Sequence, residues 1–223
     1  MGNTMNRSTN RCAQTSLLAS EALSGIGFVG VTALAACILG SASSVKPAGT
    51  DFCLPGQNGV LSCPCNNTPV GSGGCRNFGA GVMGPSAMLS ALGIASVTDG
   101  FDTLQFQVTD GNGTTLTVFL QSTGASAGSA YGAGVSCLSG PTMMLYHGDC
   151  GRGEPLGQIT RPLVGIDPSV HQRSAAMGDA ISAGQTRYYM AGYRDREASE
   201  IAHCNDPSKT FNSTQGVSVV WGP

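Results

Sequence analysis

Charge is the scarcest property of this chain. Only 11% of its 223 residues are Asp, Glu, Lys or Arg. Lys and Arg form no cluster, so the electrostatic footprint of a nucleic-acid binder is missing. Histidine is nearly as rare. His147, His171 and His203 are the only three, and no H-x-H or H-E-x-x-H spacing relates them, so no familiar catalytic-metal motif stands out. Long charged helix formers are also few, and beyond residue 37 the only lysines are Lys46 and Lys209. Helical surfaces depend on such residues, whereas short strands joined by glycine-rich turns do not.

Glycine, by contrast, is abundant. The chain has 33, about twice the usual share, and Ser, Thr and Ala are frequent as well. Residues 103–108 (TLQFQV) alternate polar and apolar, the period of a half-buried strand. Asp110-Gly111-Asn112-Gly113 follows with hairpin-turn chemistry, and residues 115–120 (TLTVFL) supply the expected partner strand. Residues 142–146, 157–160, 187–193 and 217–221 read as further strands. Residues 121–134 read as a Gly/Ser/Ala loop, and the one helical turn is expected around residues 174–178. Short strands punctuated by turns predict an all-β fold: an antiparallel, jelly-roll-like β-sandwich preceded by a small loop-rich segment held by disulfides.

The amino end predicts export. Arg7 and Arg11 precede residues 22–39, a run with no charged residue, and small residues follow. This is the layout of a secretory signal. The run sits at the lower length limit for a membrane span and is diluted by Gly, Ser and Thr. Leu34-Ala35-Ala36-Cys37 resembles a lipobox, which would make Cys37 a lipidated amino end that tethers the chain without spanning the bilayer. The organisation expected is therefore a signal over 1–37, a linker over 38–52, a Cys-rich segment over 53–78 and a sandwich over 79–223. Removing the signal takes Arg7, Arg11 and Glu21 with it, leaving nine basic against twelve acidic residues.

The cysteines fit the same compartment. Cys53, Cys63, Cys65 and Cys75 are spaced C-x9-C-x-C-x9-C, and an oxidising environment would pair them. A Cys63–Cys65 bridge would close a very small, strained loop. Two connectivities then remain within the cluster: Cys53–Cys63 with Cys65–Cys75, or Cys53–Cys65 with Cys63–Cys75. Zinc is disfavoured because structural sites use C-x2–4-C pairs. Cys137 and Cys204 are the expected partners across the sandwich, which leaves Cys150 as a free thiol or an intermolecular link.

These motifs carry a resemblance. Phe52-Cys53, Cys63-Pro64-Cys65-Asn66-Asn67, Gly74-Cys75, Phe119-Leu120-Gln121 and Gly132-Ala133-Gly134-Val135-Ser136-Cys137 are among them. So are Tyr193-Arg194-Asp195, Cys204, Phe211-Asn212-Ser213-Thr214 and Val219-Val220-Trp221. In this order the chain resembles a group of uncharacterised, secreted, Cys-rich bacterial β-sandwich proteins. The resemblance implies an exported module, often the carboxy-terminal part of a longer protein, and it implies no activity. Residues 147–153, with Cys150, depart from the group's pattern.

Chemical candidates are few. Gly124-Ala125-Ser126-Ala127-Gly128 fits G-x-S-x-G, but a nucleophile elbow needs a strand, a sharp turn and a helix. Asp149, Asp167 and Asp179 with His171 and His203 would be its partners in a secreted hydrolase. His147 with Asp149 and His171 is the nearest thing to a metal set. Asp99-Gly100-Phe101-Asp102 and Asp110-Gly111-Asn112 read as turns before calcium loops. On strand 187–193, Arg187, Tyr189 and Tyr193 share one face. Exposed, that face would offer aromatic rings and a guanidinium to a polymer; inward, it would be core. The reading that results is a non-enzymatic, secreted or cell-surface module that takes no cofactor. It would serve cell-surface structure or bind an extracellular polymer or surface protein, and touch membrane only through a lipid at Cys37.

Overall fold

In a computed structural model the described residues are 48–78, 84–112, 115–149, 157–195 and 210–223. The fold is all-β and antiparallel. In chain order the strands are β1 (Thr50–Phe52), β2 (Met88–Leu92), β3 (Gln105–Thr109), β4 (Leu116–Tyr131), β5 (Gly134–Asp149) and β6 (Ile159–Arg161). After a seven-residue helix, α1 (Val170–Ala176), come β7 (Thr186–Arg194), β8 (Phe211–Ser213) and β9 (Gly216–Val220). A larger sheet runs β1-β9-β7-β4-β5, with β8 also on β7, and a smaller sheet runs β2-β3-β6.

The main core lies between the two sheets. Alternation on β2 and β3 buries Leu89, Ala91, Phe106 and Val108 against Phe119, Tyr189, Ala191, Tyr193, Val217 and Val219 of the larger sheet. Phe106 reaches across that seam to two strands of the larger sheet, with ring centroids 4.5 Å from Tyr189 and 6.4 Å from Phe119. Burying each such side chain contributes about 1.5–3 kcal/mol. Gln215, wholly buried, stitches the layers: its amide donates to Leu89 O at 2.8 Å and accepts from Leu89 N at 3.0 Å.

The hairpin expected at Asp110–Gly113 does not form. β3 pairs with β2 and β6, and β4 pairs with β5 and β7. β3 thus belongs to the smaller sheet and β4 to the larger. Turn residues reverse the backbone but do not choose the next strand's neighbour.

The segment read as a loop over 121–134 is strand. β4 and β5 form a long ribbon with register breaks near Phe119, Ser122 and Ala125, and such bulges bend a strand pair. Ser122 still pairs with Tyr188. Farther along β4, Tyr131 meets Gly192, and Ala133 N donates to Phe211 O at 2.7 Å. The ribbon has therefore doubled back over the outer face of the larger sheet. Gly132, at φ +61°, makes its tip, where a Cβ would collide with the Phe211 carbonyl.

The Cys-rich segment joins the ribbon in this third layer. Leu61 N donates to Ala127 O at 2.8 Å, and the amide of Asn67 donates to Ala133 O and Arg76 O. Gly74 passes so close to the Ser213 backbone that a Cβ would collide with it. A second small core of Cys53, Cys75, Val135 and Cys137 forms beneath. Residues 50–52, placed in the linker by sequence, instead make β1, which extends the larger sheet by pairing with β9.

The bridges are Cys53–Cys137 and Cys63–Cys75. The second belongs to one of the two expected connectivities. The first corrects two expectations, a cluster closed on itself and a Cys137–Cys204 pair. The doubled-back ribbon is the reason, since it delivers Cys137 to the end of β1. Cys37, Cys150, Cys204 and the side chain of Cys65 lie outside the described residues.

Candidate functional site

The aromatic strand is core, not platform. Arg187 is 6% exposed, and Tyr189 and Tyr193 are 1% exposed each. Their face of β7 looks into the sandwich, and the opposite face is covered by the third layer, so Met190 is buried as well. Phe52 stacks edge-on against Tyr188 at 5.2 Å. The lone Trp221 donates its indole N–H to Tyr189 Oη at 3.1 Å. Burial pushes the hydroxyl pKa of both Tyr189 and Tyr193 well up.

Arg187 is held by a buried polar cluster. Its Nε and Nη2 reach the Asp179 carboxylate at 2.9 and 2.8 Å, a bidentate fork. Gln121 Nε2 donates to the same carboxylate at 2.8 Å and to Ser174 Oγ at 2.6 Å. Ser174 in turn donates to Asp179 O at 2.6 Å. The cluster ties α1 and the turn after it to β4 and β7. It is an architectural device, and Asp179 is consumed by it.

Among the described residues, no hydrogen bond joins Ser126 to a candidate His or Asp. Ser126 sits exposed within β4, where its hydroxyl reaches Cys137 O and accepts from Gly128 N. The chain continues beyond it as strand, with no helix. His147 is exposed on β5, and His171 lies in the first turn of α1. Asp167 accepts from Leu163 N at 2.8 Å. Asp149 pairs with Leu116 in the ladder, and His203 lies outside the described residues. Among those residues, no group of three His, Cys, Asp or Glu side chains is placed to hold a metal ion. Asp102 acts as a backbone clamp, accepting from Leu104 N at 3.1 Å and His171 N at 2.8 Å. Burial raises its carboxyl pKa, with those hydrogen bonds pulling the other way.

Two surface features remain. The first is an open cleft of about 420 Å³ in the third layer. It is lined by Gln57, Ser62, Asn66 and Thr68 with Pro55 and Pro69, and it carries no charged side chain. Asn66 adopts φ +54°, a left-handed conformation that Asn tolerates better than most residues. The Cys63–Cys75 bridge frames the cleft, because Cys63 is one of its walls.

The second feature lies at one end of the smaller sheet, where the 93–104 loop and the 162–169 loop emerge side by side. Ile94, Phe101, Val164 and Ile166 stand 61, 66, 85 and 78% exposed there. Sequence reading missed this group. The signal for it was Leu163-Val164-Gly165-Ile166-Asp167-Pro168, where apolar residues sit inside a turn pattern that gives them nothing to pack against.

No family model matches the chain, and neither a curated protein nor a solved structure does.

Proposed function

We propose that this chain is an exported, non-enzymatic surface module that binds an uncharged, hydroxyl-rich extracellular polymer, with the third layer as its binding face. The observation that carries this reading is the cleft. Its exposed side chains are amide and hydroxyl donors and acceptors with no charge, framed by proline and a disulfide. Such groups suit the hydroxyls of a neutral polymer, and a rigid frame lowers the ordering cost of binding. Two disulfides agree with an oxidising compartment, and the leader-like amino end agrees with export. A lipid at Cys37 would keep the module on the surface.

The test is a panel of neutral glycans and cell-wall polymers presented to the exported, unreduced protein. Gln57→Ala with Thr68→Ala should weaken binding about 5- to 150-fold, as the loss of two hydrogen bonds at roughly 0.5–1.5 kcal/mol each implies. Ser126→Ala should change nothing. Hydrolysis of a panel member that vanishes with Ser126→Ala would replace this reading with a secreted hydrolase.

A further inference from the structure

We propose that the end of the sandwich bearing Ile94, Phe101, Val164 and Ile166 is a membrane-facing surface, whose four side chains enter the interfacial layer of the bilayer. The proposal rests on the export reading for which membrane is meant, but its geometry is independent of the cleft.

The exposure of these side chains is built in. Thr103 N donates to Ile94 O at 3.0 Å, and Ile94 N donates to Thr103 Oγ1 at 3.1 Å, closing the base of the first loop. Phe101 N donates to Thr98 O at 3.1 Å. In the second loop Ile166 N and Asp167 N both donate to Leu163 O, and Leu163 N donates to the Asp167 carboxylate. The loops are joined at their bases by Gln105 Nε2 on Pro162 O at 2.8 Å. Two hydrogen-bonded turns thus aim four large apolar side chains outward, and a group of this kind marks an interaction surface.

Chain geometry identifies the occupant. Ala48, the first described residue, donates its N–H to Ala91 O at 2.8 Å, one residue before β2 ends at Leu92. The chain therefore enters the fold at the end that carries these loops. A lipid at Cys37 would leave residues 38–47 as the tether, at most about 40 Å when extended. A tether that short holds this end near the bilayer at high effective concentration, so a weak insertion is enough. Charge bears on the lipid class. Residues 93–104 and 162–169 contain no Lys or Arg. Of their acidic groups, Asp102 accepts from backbone N–H groups of its own loop and of α1, Asp167 accepts from its own loop, and Asp99 is exposed. The contact is therefore apolar and gains nothing from anionic lipid.

The test uses the exported full-length protein with phosphatidylcholine vesicles carrying brominated acyl chains. Phe101→Trp adds an indole at the surface, while Trp221, 1% exposed, serves as an internal reference. Seated about 5–10 Å into the interface, the new indole should shift to the blue and be quenched by the brominated chains. Trp221 should be unaffected. Adding Val164→Ser and Ile166→Ser should abolish the quenching, and anionic lipid should not strengthen it. An unquenched indole on vesicle-bound protein overturns the proposal while leaving the tether intact. A blue shift produced by an added protein and not by vesicles also overturns it. Co-sedimentation of the protein carrying Val164→Ser and Ile166→Ser reports on the tether alone, so the two readings fail separately.

Discussion

Arg173 Nε donates to the backbone carbonyl of Leu145 at 2.9 Å. In the β4–β5 ladder Phe119 faces Tyr146 and Leu120 faces Met144. Leu145 is thus the extra residue of a bulge, with its side chain buried and no ladder partner opposite. A bulge leaves such a residue's backbone unpaired, and the guanidinium from α1 satisfies it. The helix is in this way fastened to the edge strand. Arg173→Ala should cost about 1–3 kcal/mol, the range for a buried acceptor left without its donor. A urea melt followed by Trp221 fluorescence reads the loss, and an unchanged midpoint would show that water replaces the guanidinium.

The two disulfides should contribute unequally. Cys53–Cys137 closes a separation of 84 residues and Cys63–Cys75 one of 12. The chain-entropy model gives about 4–5 kcal/mol for the first and about 3 kcal/mol for the second. Replacing each pair by Ala and comparing denaturant midpoints tests the order. Non-reducing peptide mapping should recover Cys53 joined to Cys137, and a Cys137–Cys204 peptide would refute the ribbon's position.

Arg187→Ala should destabilise by about 3–5 kcal/mol, because it strands a buried carboxylate. The side chains of Arg187 and Asp179 are 8 and 16% exposed, so solvent does little to soften the loss. The effect belongs to stability, and polymer affinity per folded molecule should not move. If affinity falls at full folding, the strand's inward face takes part in binding after all.

The tyrosines predict an alkaline limit. Burial holds Tyr131, Tyr146, Tyr189 and Tyr193 above the ordinary value of 10.0. In the unfolded chain these hydroxyls ionise near 10, while in the folded protein they stay protonated. The stability they support is intact below pH 10 and is lost as pH rises above it. Absorbance at 295 nm should therefore show these tyrosines ionising together with unfolding. Smooth ionisation in a protein that stays folded would contradict it.

Much of the fold was legible in residue alternation. The pattern in residues 103–108 and 187–193 marks β3 and β7, and in each it separates one face from the other. It could not say that both faces of β7 are buried, because the cover comes from a ribbon far upstream in the chain. That ribbon was itself illegible. Ser, Gly and Ala over 122–130 show no apolar alternation, since one side lies open to water. The bridge from Cys53 to Cys137 was missed for the same reason, as proximity in sequence favoured pairing within the cluster. The four exposed loop residues could be found only by asking which turns contain side chains with nothing to pack on.

The position of β1 has a mechanical meaning. β1 and β9 are antiparallel neighbours, with Thr50 opposite Ser218 and Phe52 opposite Gly216. Tension applied between Ala48 and Pro223 would therefore unzip the pair one rung at a time, the weakest loading direction for a sheet. The peel reaches only Cys53, where the covalent link to Cys137 arrests it. Five freed residues give about 18 Å of slack at most. Beyond that, load passes into the doubled-back ribbon, so the bridge acts as a mechanical stop for a fold pulled at Ala48.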